Sequence, residues 1–522
     1  MDNMSRNLVP PSDWSPKHQS FVCSSLILLL LVLTYSPLVW AEYAYGDDYW
    51  LLLSDAESGA AYLRDGRPLF ALAQHFIHLN IAGISQLSVM RFLAAVWVGL
   101  ISIQFFRLAK PLGGTPAERV CLAVAVGTLP CLHTYVAQAN FWLAPLAGCF
   151  TIQCSVLVWQ TISDRSLSTT KTITYLGTAF FLYMCTATTY QPMLAWYWTA
   201  VLIFILDKQY LARAEHRRQV HLVIAIGLAF LCFYYVSFKL FFAVFDVSAK
   251  PRTQLTQAPL YKLYWFLRIQ LPLALNFWHL WNPLQKLATL GIAAFSLALI
   301  SGGYFLNSVR HLRLSAQQAN PPGTNPMRVV LLRTALLLTV VLLTHVHWLA
   351  IEDVPQSYRV IAPLGVAVLL MIYWSLLQYS TLLRTSALVA RIRPAIAVAL
   401  ATAVMLICQY QAYRYWVAPQ TMSYRFLLAE LRDKLREDHA TVHIIRQGSE
   451  DGLVQTYLIE SFGRPSSERD WTLDAMIRSA ANDSGVAHDI RQVTSTKAGD
   501  PVPADKGVLV LDMRNIRTFR MR

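Results

Sequence analysis

The chain has 522 residues, of which 55% are hydrophobic and only 14% are charged. Soluble domains are typically about 45–50% apolar and about a quarter charged, so this composition excludes an ordinary soluble protein and indicates that lipid is a solvent for much of the chain. The net charge of +14 does not indicate a nucleic-acid partner, because the tail after residue 417 is nearly balanced and the basic excess lies between apolar runs.

Apolar runs of about 18 residues or more recur up to about residue 417, and each is long enough to cross a bilayer as a helix. The sequence therefore predicts an all-α polytopic membrane protein. The first run is too long for a signal peptide and is expected to stay as a span. We predict eleven transmembrane helices, at residues 20–40, 88–107, 119–136, 141–160, 173–189, 191–206, 220–243, 285–306, 328–350, 359–379 and 394–416.

The distribution of basic residues predicts the orientation of these helices. If the N-terminal segment 1–19 is cytoplasmic, the loops on that side contain nearly all the arginines and lysines between the spans, and the short loops on the other side contain almost none. An odd number of spans then places the tail 418–522 outside. All eight cysteines lie in or beside apolar runs, which argues against a disulfide framework and a cysteine-ligated zinc site.

Two long outer loops, 41–87 and 246–284, are expected to form amphipathic lid helices at the membrane surface. The first begins with "AYGDDYWLLLSD", which contains Asp47, Asp48 and Asp55, and continues with a Gly66 turn before "RPLFALAQHFIH". The second contains "YKLYWFLRIQLPLALNFWHLW", a run of aromatic residues with two cations. The tail offers one helix, "MSYRFLLAELRDKLRED", and strand-like runs "TVHII" and "GVLVLDMR", which predict a small α/β domain.

The aspartates of the first loop are candidates for acid–base chemistry. A partly buried carboxylate beside a second one can be tuned to act as a general base. Asp47 and Asp48 point in different directions on any regular backbone, so only one is expected to face the reaction. The alternative is that both are solvated residues at a helix end.

Four cations on the same side of the membrane are candidates for binding phosphate. A guanidinium group matches a phosphate with two hydrogen bonds, and Arg359 opens a span where an unpaired charge would be costly. The alternative is that Arg359 snorkels to the membrane surface or pairs with Glu352 or Asp353. The four residues are Arg67, Arg359, Lys262 and Arg268, of which the last two also suit interfacial anchors.

Further polar residues are candidates for the lining of a substrate cavity. Tyr190 and Gln191 interrupt apolar sequence beside Pro192, and they either contact a sugar or satisfy backbone groups freed by the proline. His75 and His78 are spaced for joint metal binding on one helix but lie in no known metal motif. A divalent cation at Asp47, Asp48 and Asp55 is left open, since no coordination pattern is recognisable. No nucleotide-binding motif or serine nucleophile elbow is present, so the substrate must arrive already activated.

The first span followed by "DDYW", then "GRP", "TYQP" in a middle span and "SYR" at the head of a late span resembles the C-class membrane glycosyltransferases. More narrowly, the pattern is similar to the bacterial O-antigen glucosyltransferases of serotype conversion. The resemblance covers residues 20–417.

The resemblance implies a transmembrane glycosyltransferase domain, in a bacterial inner membrane, that moves a sugar, glucose in that family, from a polyprenyl-phosphate carrier to a cell-envelope glycan on the periplasmic side. Asp47 or Asp48 would then be the base, Arg67 and Arg359 would hold the carrier phosphate, and Tyr190 with Gln191 would line the cavity. The alternatives are a flippase or transporter for lipid-linked sugars, a related enzyme with a different acceptor, and a structural partner in an envelope assembly.

Overall fold

The computed structural model describes residues 15–518 apart from short gaps. The gaps are residues 54–60, 79, 82, 245–253, 281–284, 318–324, 356, 383–386, 437–438, 447–461, 463, 486–489, 498–499 and 504–506. The described helices are α1 (Pro16–Thr34), α2 (Ser36–Trp40), α3 (Asp47–Leu53), α4 (Pro68–His78), α5 (Leu87–Leu108), α6 (Pro116–Gly127), α7 (Pro130–Ala137), α8 (Ala144–Ser163), α9 (Thr169–Thr189), α10 (Trp196–Leu206), α11 (Lys208–Ala212), α12 (Ala214–Val244), α13 (Pro259–Trp265), α14 (Leu271–Leu275), α15 (Lys286–Gln317), α16 (Pro326–Leu343), α17 (Val346–Ala350), α18 (Ala362–Leu382), α19 (Ala387–Ala412), α20 (Ala418–Lys434) and α21 (Asp470–Ser484).

The fold class predicted from the sequence is confirmed. Within the described ranges, eight helical stretches are long and apolar enough to cross a membrane, or nine when α6 and α7, which are bent by 55°, count as one span. The predicted fifth and sixth spans are the two that fall outside this set. They correspond to α9, which is rich in threonine, and to the shorter apolar stretch Gln191–Leu206.

Helix breaks in the bundle lie just before prolines, because a proline has no backbone N–H to give to the preceding turn. The predicted first span breaks at Tyr35, and α6 and α7 separate before Pro130. The Tyr35 hydroxyl donates to the carbonyl of Gly127, and Trp278 Nε1 donates to the carbonyl of Thr128 at 3.0 Å. The carbonyls exposed at the bend are thereby satisfied without water, as a membrane interior requires.

The bundle has two distinguishable ends. One end, called here the basic end, contains a cavity of about 480 Å³ whose wall includes Arg107, Ser163, Asp207 and Arg213. The opposite end, called here the site end, contains the segment 41–53 and the turn 138–142. Helices α5 and α8 join the two ends, and at 1.5 Å per residue each spans roughly 30 Å.

The tail forms a small α/β unit at the site end. Three parallel strands, β1 (Thr441–Ile445), β2 (Gln492–Thr496) and β3 (Val508–Asp512), have the order β2-β1-β3. Because parallel neighbours need a crossover, α21 lies between β1 and β2 in the chain. The predicted boundary between 417 and 418 falls inside a continuous helical stretch, Ile392–Lys434, with a π-helical turn at Tyr413–Val417.

Candidate active site

The acidic pair opens the short helix α3, where the positive end of the helix dipole favours carboxylates. Gly46, with φ of +47°, makes the left-handed turn that leads into this helix. Asp48 is fully buried, and its two oxygens accept the backbone N–H groups of Tyr45 at 3.1 Å and Asn140 at 2.9 Å. Asp48 therefore fastens α3 to the turn Ala139–Phe141.

Burial raises the pKa of Asp48 to about 6, against the opposing effects of Arg91 and of the backbone donors. Arg91 is itself buried and donates to the carbonyls of Tyr43 at 2.8 Å and Ala41 at 3.0 Å. Arg91 thus holds the segment that leads into α3, and its positive charge lowers the pKa of the nearby Asp48 carboxyl against the effect of burial.

Asp47 has a different environment from its neighbour. Its side chain is half-buried, and Oδ2 accepts a hydrogen bond from Asn140 Nδ2 at 3.1 Å. The backbone and the side chain of Asn140 therefore bind one aspartate each. Of the two acids, Asp47 is the one that a ligand can reach.

Arg67 is held at the same end by the break between α9 and α10. Its Nε donates to Gln191 Oε1 at 2.9 Å, and its guanidinium lies 4.8 Å from the centre of the Tyr190 ring. Gln191 Nε2 donates in turn to the carbonyls of Asp65 at 3.0 Å and Gly66 at 2.9 Å. Gln191 thus binds both the side chain of Arg67 and the turn that carries it.

Arg359 reaches the same aromatic cluster from the 3-10 turn Tyr358–Ile361, directly before α18. Its guanidinium lies 4.8 Å from the centre of the Phe141 ring, and its carbonyl accepts the Tyr135 hydroxyl at 2.7 Å. The Phe141 and Tyr190 rings are 5.7 Å apart in an edge-on arrangement. The two arginines therefore stack on neighbouring rings, and one of these rings belongs to the residue directly after Asn140.

Tyr62 connects the acidic and basic parts of the site. It lies within electrostatic range of Asp47, Asp65 and Arg67, beside the side chain of Asn140. Burial and then the charge of Asp47 raise its pKa, so the hydroxyl keeps its proton at neutral pH. Segments that are distant in sequence thus meet around Asn140.

The other candidate residues have partners outside the cluster around Asn140 or lie outside the described residues. Lys262 is buried, and its ammonium group donates to the carbonyls of Trp348 and Asp353; burial lowers its pKa to about 8 against the nearby acids Asp353 and Glu352. Arg268 is exposed and stacks on exposed Tyr264. His75 is exposed on α4. Asp55 lies outside the described residues.

Several site residues were not singled out from the sequence. One is Asn140, in the segment "AQANFW", which is only 2% exposed and whose carbonyl accepts a hydrogen bond from Gln74 Nε2 at 3.0 Å. Arg91, inside a span, was a usable signal because an arginine there needs anionic or carbonyl partners. Among the described residues, no group of three or more His, Cys, Asp or Glu side chains is placed to hold a metal ion.

An apolar groove of about 610 Å³ runs beside this site. It lies between α4 and the start of α5, and its wall includes Phe76, Ile77, Met90 and Trp142. Trp142 directly follows Phe141, and Gln74 on α4 binds Asn140, so one end of the groove adjoins the residues that hold the acidic pair. The groove has the size and lining of a typical site for an apolar ligand.

A helical membrane bundle with acids and arginines gathered at one end is the architecture of a C-class membrane glycosyltransferase, and comparison with protein families supports this class. The model of the arabinofuranosyltransferase N-terminal family matches residues 141–424, more than half of the chain, and the chain belongs to this family. No curated protein matches the chain. The match includes Gln191 and Arg359, whereas the acidic pair, Arg67 and the sheet of the tail lie outside it.

Proposed function

We propose that the protein transfers a sugar from a polyprenyl-phosphate carrier to a cell-envelope glycan, with Asp47 as general base. The observation that carries the proposal is the meeting of Asp47 and the two arginines around the turn Ala139–Phe141. The family description favours arabinofuranose as the sugar, whereas the resemblance to O-antigen enzymes implies glucose. We take arabinofuranose as the first choice and glucose as its comparator.

The reaction is a displacement at the anomeric carbon. Asp47 takes the proton of an acceptor hydroxyl, and the hydroxyl oxygen forms the new bond to the anomeric carbon. The bond between that carbon and the phosphate oxygen breaks, and its electron pair leaves with the polyprenyl phosphate. Arg67 and Arg359 stabilise the charge that gathers on the leaving phosphate.

The division of labour between the two acids follows from their partners. Both oxygens of Asp48 accept backbone N–H groups, so this residue positions the turn rather than receiving a substrate proton. Asp47 accepts one hydrogen bond and is half-buried. The lipid part of the donor would lie in the groove between α4 and α5, which adjoins the same turn.

The orientation belongs to the same proposal. The cations between the spans gather at the basic end, which the positive-inside rule assigns to the cytoplasm. The site end would then face the periplasm of a bacterial inner membrane. A donor whose sugar has already crossed the bilayer would reach this face without a nucleotide site on the protein.

The test is transfer by the purified protein in lipid nanodiscs. Polyprenyl-phosphoryl arabinofuranose and polyprenyl-phosphoryl glucose are supplied separately, with octyl glycosides of arabinofuranose and glucose oligomers as acceptors. A glycan lengthened by one sugar, with release of polyprenyl phosphate, is the expected result. In a parallel assay the protein is placed in sealed vesicles. Movement of donor across the vesicle membrane without any product in either assay would overturn the transferase and support a transporter.

A further inference from the structure

The tail domain forms a wall next to the acidic pair. Ser466 Oγ accepts the backbone N–H of Gly46 at 2.9 Å, and Arg469 donates to the Tyr45 hydroxyl at 2.6 Å. Helix α21 packs against α3 directly after these contacts. Residues 466–484 lie beyond the part of the chain that the family model matches, which ends at residue 424.

Trp471 lies in the first turn of α21, on the surface of the tail domain next to α3, and its ring is about half exposed to solvent. It is 46% exposed, and its ring edge lies 3.4 Å from the position that a Cβ on Gly46 would occupy. Gly46 directly precedes Asp47. An exposed indole therefore borders the residue that directly precedes Asp47, to which we assign the proton transfer.

The surroundings of Trp471 are polar, which distinguishes it from a membrane anchor. The guanidinium of Arg469 lies 5.8 Å from the centre of the Trp471 ring and 5.2 Å from that of Tyr45. The neighbouring Asp470 is paired with Arg446 at 3.0 Å. By contrast, the exposed Trp40 ends an apolar span, where aromatic residues commonly lie at the lipid surface.

We propose that Trp471 is a stacking platform for the acceptor glycan. The C–H face of a sugar ring packs on the indole, as apolar surface packs on aromatic side chains in ligand sites, and polar groups at the rim orient the ligand. A sugar unit resting there presents the hydroxyl of its neighbour to Asp47. This inference rests on the proposed function and assigns the acceptor side of the site to the tail domain.

The test compares Trp471→Ala with Trp471→Phe and with Trp40→Ala, an exposed tryptophan at the end of a span. Initial rates are measured in nanodiscs against the concentration of the best octyl glycoside acceptor, with donor at saturation. We expect Trp471→Ala to raise the acceptor KM about tenfold, and Trp471→Phe to raise it less because a ring remains. Trp40→Ala should leave the acceptor KM within about twofold of the unchanged protein.

Three results would overturn the platform. One is an unchanged acceptor KM in Trp471→Ala, and another is a fall in kcat alone, which would indicate that Trp471 only positions α3. The third is an equal effect of Trp40→Ala, which would indicate anchoring to lipid. Should Trp471→Ala fail to fold by circular dichroism, Trp471→Phe decides, with a rise of about two- to threefold expected and no rise overturning the platform. If the unchanged protein forms no product, the proposed function is wrong, and the inference about Trp471, which rests on it, is wrong as well.

Discussion

At the scale of single residues, the site depends on two adjacent aspartates with different partners. As neighbours on a helix, their side chains point in different directions. Asn140 binds both, and of the two only Asp48 is fully buried. The sequence "DDYW" indicated that one of the two would face the reaction but not which one. Which aspartate is buried depends on the turn Ala139–Phe141, about ninety residues away. In this turn the backbone N–H of Asn140 binds Asp48 and its side-chain amide binds Asp47.

Replacing Asp47 tests the assignment of the base. Asp47→Asn should reduce the turnover rate by about 10²- to 10⁴-fold, the usual contribution of a general base, because an amide cannot accept the proton. The amide oxygen still accepts the Asn140 hydrogen bond, so the melting temperature should change little. The measurement is product formation at saturating substrates. The exposed Glu42→Gln, five residues earlier, is the control and should retain activity.

The raised pKa of Asp48 predicts that the stability of the folded protein depends on pH. The Asp48 pKa of about 6 in the folded protein exceeds the ordinary value of 3.8 for an exposed aspartate, so the folded state binds the proton more tightly. The stability contributed by this group is therefore complete below pH 3.8 and is lost as the pH rises to about 6.

Melting temperatures recorded between pH 4 and pH 7 should show this loss in the unchanged protein. Asp48→Asn, which cannot titrate, should lack that part of the pH dependence. Identical pH profiles for the two proteins would contradict the buried-carboxyl account.

At the scale of elements, the arginines are placed by breaks between helices. Tyr190 and Gln191 lie where α9 ends and the chain turns before Pro192, and the break lets one side chain stack under Arg67 while the other binds it. Sequence reasoning located this break from its proline. It could not supply the partner, because the Arg67 turn and the break are more than a hundred residues apart.

Gly66 tests whether the turn must hold its present position. The residue has φ of +71°, and a Cβ there would lie 2.2 Å from Phe238 Cε2, so an alanine is strained and overlaps a ring on α12. Left-handed backbone alone costs about 1–2 kcal/mol. Gly66→Ala should therefore lower the melting temperature and raise the donor KM as Arg67 shifts.

The matched control lies in the same loop. Gly83 has extended backbone, with φ of −155°, and a Cβ there would meet no atom within 4 Å. Gly83→Ala should leave both the donor KM and the melting temperature unchanged. If both alanine variants behave alike, the close contact at Gly66 does not position the site.

At the scale of the whole molecule, composition and periodicity were sufficient for the helical class, because the thickness of a bilayer sets the length of every span. The number of spans was harder to predict. Helix α9 has many threonines and the neighbouring stretch Gln191–Leu206 is short, so neither is apolar and long enough to count as a span alone. Strand β2, "QVTST", was missed because it has no apolar alternation and is only half-buried beside β1.

The orientation can be tested by labelling intact cells with a membrane-impermeant maleimide. Val502→Cys, exposed in the tail domain at the site end, should be labelled if this end faces the periplasm. Ser166→Cys, exposed in the loop after α8 at the basic end, should be labelled only after the cells are lysed. The reverse pattern would place the site on the cytoplasmic side. The unchanged protein gives the background from its own eight cysteines.

The unbroken helical stretch Ile392–Lys434 has a mechanical consequence. Its 43 residues extend for roughly 65 Å from an apolar stretch of membrane-span length to the tail domain, with one π-helical turn at Tyr413–Val417. Trp416, in that turn, packs edge-on against Tyr45 at 5.0 Å. The tail domain is therefore joined to the segment before the acidic helix α3 in two ways, through Trp416 of this helical stretch and through the contacts of Ser466 and Arg469.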